Sequence, residues 1–166
     1  MNYISQDPIG LSGGNPTLYG YVSDPTGWLD VFGLSGAGQG GAYMFSFVSG
    51  DKYIGKKLPD RMKGSISQRT NQVKGKKGDA RIAGKAYVST NGNNDLGKMV
   101  EYKAMLDAGF APGGAKNVPD GYLNGFLSGK STWDANPKLQ AEATRLATQL
   151  KDYYLADVES RKKKGY

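Results

Sequence analysis

Two tyrosines ten residues apart, Tyr43 and Tyr53, followed by Arg61 and later by Glu101, are the side chains best suited to a reaction at phosphorus. Hydrolysing a phosphodiester needs an activated water, stabilised charge on the phosphoryl oxygens, and help for the leaving oxygen. Two phenols on facing strands can orient or deprotonate the water, provided cations such as Lys56 and Lys57 lower one of their pKa values. Arg61 can fork two donors onto phosphate oxygens. Glu101, in a helical stretch with Met99 and Met105, can hold one Mg²⁺, which keeps several waters and needs only one or two carboxylates. Each assignment has a plainer alternative. The tyrosines can be ordinary strand aromatics, Arg69 or Lys63 can serve in place of Arg61, and Glu101 can be a surface residue paired with Lys98 three positions earlier.

Composition narrows the chemistry. The 166 residues include no cysteine and no histidine, which removes disulfides, thiolate nucleophiles, zinc held by Cys or His, and any mechanism with an obligatory imidazole. No stretch is apolar enough to span a membrane, and the N-terminus lacks a basic-then-apolar signal peptide. The net charge of +7 is unevenly spread: residues 1–41 hold Asp7, Asp24 and Asp30 and no Lys or Arg, leaving 22 basic and 12 acidic residues, net +10, in the remainder. Between Lys52 and Lys85 there are eleven basic residues against Asp60 and Asp79. A field of one sign favours a polyanion, most simply nucleic acid. The expected phosphate contacts are Lys56, Lys57, Lys63, Arg69, Lys74, Lys76, Lys77 and Arg81. The plainer reading is a solvated basic surface.

Positioning these groups calls for an α+β domain, a small antiparallel sheet flanked by helices. Alternation around Tyr43, Phe45 and Phe47 predicts a strand over 42–49; Gly50-Asp51 makes a turn, and 52–56 is the hairpin partner. Pro59-Asp60 opens a helix to about Val73, with a basic loop at 74–79 and a third strand over 80–90. Asn91-Gly92-Asn93-Asn94 is a turn whose last residues cap a helix from Asp95 to Ala108. Residues 110–129 are rich in Gly, Pro and Asn and read as irregular. Asn136 as N-cap and Pro137 at the first position begin a long C-terminal helix with Leu139, Ala143, Leu146, Leu150 and Tyr153 in one stripe.

Residues 1–34 are different. They are short apolar-aromatic pieces between turn signals, too short to bury a core alone. Tyr3-Ile4-Ser5-Gln6-Asp7-Pro8-Ile9-Gly10-Leu11, then Gly13-Gly14-Asn15, Tyr19-Gly20-Tyr21-Val22, Asp24-Pro25 and Asp30-Val31-Phe32-Gly33-Leu34 resemble the closing motif of Rhs/YD-repeat proteins. That resemblance implies the last strip of a β-shell enclosing a toxin, self-cleavage after Leu34, and Asp7 with Asp30 as the aspartyl pair. Two such carboxylates can divide acid and base roles without a metal; their plainer role is turn capping. Residues 35–41 read as a Gly-rich linker, and 42–166 as the toxin domain.

Ala42-Tyr43-Met44 followed by Tyr53-Ile54-Gly55, a helix with Arg61 and a later helix with Glu101, resembles the GIY-YIG (URI) endonuclease fold. Tyr53-Ile54-Gly55 is a literal match and the first triplet a looser one. The resemblance implies a Mg²⁺-dependent DNA endonuclease with Tyr43, Tyr53, Gly55, Arg61 and Glu101 at its centre, although Arg61 lies about two residues nearer the second triplet than the family places it. It also suggests Asn117 as the family's late asparagine. With the Rhs motif, it implies an effector injected by a contact-dependent system such as type VI secretion, active in the recipient cytoplasm. The producing cell would then make a cognate immunity protein, expected to be acidic. The competing readings are a ribonuclease toxin, an ADP-ribosyltransferase toxin using Arg81, Ser89-Thr90 and Glu142, and a non-enzymatic nucleic-acid-binding module relying on the basic loop.

Overall fold

A computed structural model of the chain describes residues 40–165; the predicted Rhs motif, with Asp7, Asp30 and Leu34, lies outside them. The described residues form an α+β unit around a three-stranded antiparallel sheet. Strand β1 (Gly41–Phe47) is central, with β2 (Lys52–Lys56) on one side and β3 (Ile82–Ser89) on the other. Every residue of β1 is buried, as expected for a strand paired on both edges and covered on both faces. Gly41, read from sequence as the last linker residue, is the first residue of β1, and the Gly40 carbonyl already accepts from Thr90 N at 2.7 Å.

Alternation along β1 sorts its side chains onto two faces. Tyr43, Phe45 and Phe47 join Met62 and Val73 of helix α1 (Pro59–Gly75) in a small aromatic cluster. Ala42 and Met44 join Ile54, Ala86 and Val88 in the larger core, built with α2 (Asn94–Asp107) and the long α4 (Gln140–Lys163). The predicted elements are therefore all present, and α1 runs one turn-half further than expected, to Gly75. Asn93 caps α2 by accepting from Leu96 N at 2.9 Å.

Two expectations change. Asn136 does not cap the C-terminal helix; its amide turns back to donate to Thr132 O at 2.8 Å, because a short helix α3 (Lys130–Ala135) precedes it, and Pro137–Leu139 forms a 3₁₀ turn before α4 begins. The stripe of α4 is Ala143, Leu146, Ala147, Leu150 and Tyr154, with Tyr153 only partly buried. Residues 110–129 are irregular as predicted, yet they have a structural task. Lys52 N donates to Gly121 O and Leu123 N to Lys52 O, at 2.6 and 2.8 Å, so the loop covers the open edge of β2.

Candidate active site

Tyr43 and Tyr53 lie on the α1 face of the hairpin, their ring centres 6.3 Å apart. The register sets Tyr43 opposite Gly55 and Phe45 opposite Tyr53. A Cβ at position 55 would sit 2.5 Å from Cζ of Tyr43, so glycine is what allows that ring to lie across the edge strand. The Tyr43 ring is fully buried, and its hydroxyl meets Ser65 Oγ of α1 at 2.7 Å. Ser65 is one turn beyond Arg61 and one turn before Arg69, so α1 turns Arg61, Ser65 and Arg69 toward one side.

The two arginines differ. Arg69 places its guanidinium 4.6 Å above the Tyr53 ring and donates to Gln72 Oε1 at 3.1 Å, while its buried Nε has no partner among the described residues. Arg61 is exposed in the first turn of α1 and near enough to Tyr43 to favour the phenolate. Lys63, the third alternative, pairs with Asp60 at 3.2 Å on the solvent side.

Burial pushes the Tyr43 phenol up; the Ser65 hydrogen bond and Arg61 oppose this, and Tyr53 and Glu101 add to it. The expected lowering by Lys56 and Lys57 is thus reversed for Tyr43. At neutral pH it is a protonated phenol and can donate or position, but it is not a ready base. The Lys56 ammonium is engaged elsewhere. Lys56 Nζ lies 3.1 Å from Glu101 Oε2, and Lys57 adopts a positive φ of 109° with its amide tied to Gly41 O at 2.8 Å.

Glu101 is not the surface residue of the plainer reading. It is 6% exposed, and Lys98 pairs instead with Asp95 at 2.9 Å. Its Oε2 accepts from Lys56 and, at 3.1 Å, from Ser128 Oγ. Ser128 is delivered by the loop before α3, where Gly129 has φ 97° and fits so closely that a Cβ would come within 2.8 Å of Lys98 O on α2. Burial raises the Glu101 carboxyl, opposed by Lys56 and Ser128. Carboxylate and hydroxyl oxygens suit a hard divalent cation, and the lysine already at 3.1 Å marks the spot as one where positive charge is held. Among the described residues no group of three acidic, Cys or His side chains gathers, so a metal there would rest on this carboxylate and on water.

Of the expected phosphate contacts, Lys63 and Arg69 lie along α1 and the others fall at its two ends. A 17-residue helix is about 25 Å long at 1.5 Å per residue. Lys56 and Lys57 precede its start; Lys74, Lys76 and Lys77 follow near its end, with Arg81 just beyond. Lys76 pairs with Asp51 at 3.8 Å and Arg81 with Asp79 at 2.6 Å, so part of the field predicted as one face is split and locally neutralised. The residues proposed for a transferase do not converge: Arg81 and Ser89 flank opposite ends of β3, and Glu142 pairs with Arg145 at 2.6 Å on exposed α4.

Sequence reasoning missed Ser65, Ser128 and Asn124. A serine at a core-facing position of α1 was a signal for the first. Asn124 accepts from Ile54 N at 3.0 Å and donates to Ile54 O at 2.7 Å, fixing the backbone between the second tyrosine and Gly55. Asn117 only donates within its own loop, to Pro112 O.

Several curated proteins share a segment with this chain. It is 39% identical over 72 residues to Probable deoxyribonuclease RhsB of Dickeya dadantii, covering 43% of this chain and 5% of the relative. It is 43% identical over 54 residues to Double-stranded DNA deaminase toxin A of Burkholderia cenocepacia, covering 32% and 4%. It is 58% identical over 33 residues to Probable deoxyribonuclease RhsA of Dickeya dadantii, covering 20% and 2%. The chain therefore spans at most about a twentieth of each of these relatives, two of which carry Rhs names and one of which is named a toxin. No family model and no solved structure matches.

Proposed function

We propose that this chain is the C-terminal part of an Rhs polymorphic toxin and that its residues 42–166 are a Mg²⁺-dependent DNA endonuclease. The observation that carries the reading is the meeting of two tyrosines, two arginines of α1 and a buried, cation-holding carboxylate around one edge of the hairpin. Tyr43 is electrostatically coupled to Tyr53, Arg61 and Glu101 at once. One relative named as a deoxyribonuclease matches over 72 residues, more than the 1–34 motif can account for, which supports DNA as the substrate. The strand order, with the second-triplet strand at the edge and the first in the centre, suits a GIY-YIG-like arrangement.

In this reading Tyr53, half-buried under Arg69, orients the attacking water, and Tyr43 holds its proton and fixes the site through Ser65. Arg61 and Arg69 bracket the phosphoryl oxygens, and Lys56 and Lys57 meet the flanking backbone. Glu101 would hold the divalent cation, which when bound polarises the phosphoryl group and assists the leaving oxygen.

The relative named as a deaminase points elsewhere for the shared segment. Zinc-dependent base deamination uses Cys and His ligands, and this sequence has neither. Segments shared with proteins of two different named activities belong to what those proteins have in common, and the 33-residue match has the length of the 1–34 motif. That supports a carrier strip; that it is cut after Leu34 by Asp7 and Asp30, and that the delivered toxin needs an acidic immunity protein in the producing cell, is part of the proposal.

Plasmid nicking tests the nuclease reading. Relaxation of supercoiled DNA should require Mg²⁺, stop with EDTA, and be lost in Glu101→Ala; cleavage that survives both EDTA and the substitution overturns it.

A further inference from the structure

Lys56 belongs to two places at once. Its ammonium pairs with Glu101 at 3.1 Å, and its side chain also lines a shallow cavity of about 240 Å³ with Gly41, Lys57, Asn94, Gly97 and Lys98. The Glu101 side chain is 8% exposed and the Lys56 side chain 33% exposed, so the carboxylate is fixed in protein while the ammonium stands at the rim. A lysine head on a four-carbon stem can swing between neighbouring positions, whereas a buried glutamate anchored by Ser128 cannot follow it. Three lysines line the cavity, with Lys56 answered by Glu101 and Lys98 by Asp95. Its remaining wall is Gly41, Gly97 and Asn94. Gly97 packs so near β1 that a Cβ would stand 3.1 Å from Gly41 O, and Lys57 N is bonded to that same carbonyl, so the side chains are what can move.

We propose that Lys56 is a tethered cation with two seats: it neutralises Glu101 in the free protein and turns into the adjoining cavity when a substrate phosphate occupies it, vacating Glu101 for a divalent cation. This rests on the nuclease reading and deepens it, because it makes DNA binding and metal binding one coupled event. The physical reason is competition. A buried carboxylate without a counter-charge is costly, so some cation must accompany it. An ammonium and a divalent ion on one oxygen repel each other, so they alternate. A phosphate in a cavity lined by three lysines draws the ammonium away and leaves the carboxylate to the metal. Linkage then requires that DNA tighten metal binding and that metal tighten DNA binding by the same factor.

The test is Mn²⁺ binding to the full chain, read by electron paramagnetic resonance, with and without a short phosphorothioate duplex that resists cleavage. Without DNA, Lys56→Met should bind Mn²⁺ about 10-fold tighter than the unsubstituted chain, and the duplex should tighten the unsubstituted chain by a similar factor while changing Lys56→Met little. Glu101→Gln should lose this binding in every condition. If the unsubstituted chain holds Mn²⁺ through Glu101 equally well with and without duplex, and Lys56→Met does not exceed it, the two-seat proposal fails while the nuclease reading stands. If Glu101 binds Mn²⁺ in no condition, both fail. The comparison with and without duplex needs no substitution, so a poorly folded variant leaves the result decisive.

Discussion

The two faces of the sheet are built from the same three strands and serve opposite ends. The α2–α4 face is apolar and deep, with Met99, Val100 and Leu150 fully buried against Ala42, Met44 and Ile54. Its main polar intrusions are the Glu101, Lys56 and Ser128 group and the Tyr154 hydroxyl donating to Ser46 at 2.8 Å. The α1 face is small and aromatic, and both tyrosines of the hairpin bring a polar or cationic companion: Tyr43 with Ser65, Tyr53 with Arg69. Stability is concentrated on the α2–α4 face and the tyrosines and arginines on the other, with Glu101 contributed from the stable side. They communicate at Gly55, where the lack of a side chain lets the Tyr43 ring cross the edge strand and come within electrostatic range of Glu101.

The largest effect should come from the deep face. Leu150→Ala removes a fully buried side chain from the α4 stripe and should cost about 2–5 kcal/mol, seen as a large drop in the denaturant midpoint. A loss under about 1 kcal/mol would show that the division between the faces is wrong.

Gly55→Ala strikes the crossing point. The new Cβ would meet the Tyr43 ring at 2.5 Å, and the ring must yield because strand backbone cannot. A stability loss of about 1–3 kcal/mol is expected, with a fall in nicking rate of about 100-fold from the displaced phenol. Equal activity in this variant would detach Tyr43 from the reaction.

Glu101→Gln keeps the shape and sharpens the contrast further, since it should lower nicking by roughly 1000-fold while leaving the fold intact. It also has a pH signature. Because burial raises the Glu101 carboxyl, the folded chain keeps this proton to higher pH than the unfolded one. Stability therefore falls as pH climbs from the ordinary glutamate range through the raised value, and the substitution should flatten that slope in melting temperatures.

Ser65→Ala removes the partner of the buried Tyr43 hydroxyl, at about 1 kcal/mol, and should slow nicking only a few-fold. The smallest effects belong to the basic end of α1. Lys77→Ala should reduce the salt dependence of DNA binding by about one ion. Arg81→Ala should reduce it less, because Asp79 already holds that guanidinium at 2.6 Å.

Much of this was legible in the chain before any coordinates. The hairpin followed from alternation around Tyr43, Phe45 and Phe47 and the Gly50-Asp51 turn; α1 followed from Pro59, and the cap of α2 from Asn93. These are short-range effects, decided by residues a few positions apart. The pairing of Tyr43 with Gly55 was implicit in the same hairpin. Legibility stopped where partners come from afar. Nothing local marks Ser128 as the neighbour of Glu101, 27 positions earlier, or Asn124 as the clamp on Ile54, 70 positions earlier, because both sit in an irregular loop without periodicity. The sign of the Tyr43 shift was hidden for the same reason: nearby lysines in sequence argue for lowering, but burial by α1 and the sheet dominates.

By itself, then, the sequence determined the menu of chemistry, through the absence of His and Cys and the presence of spaced Tyr, Arg and Glu in a basic field. It also determined the local elements that carry those groups. Only the tertiary structure decided which cation Glu101 takes, that the lysine clusters before and after α1 stand at its opposite ends, and that Tyr43 is a buried, protonated phenol. Those outcomes depend on desolvation and on contacts between distant segments, and a chain acquires both only when its faces close on one another.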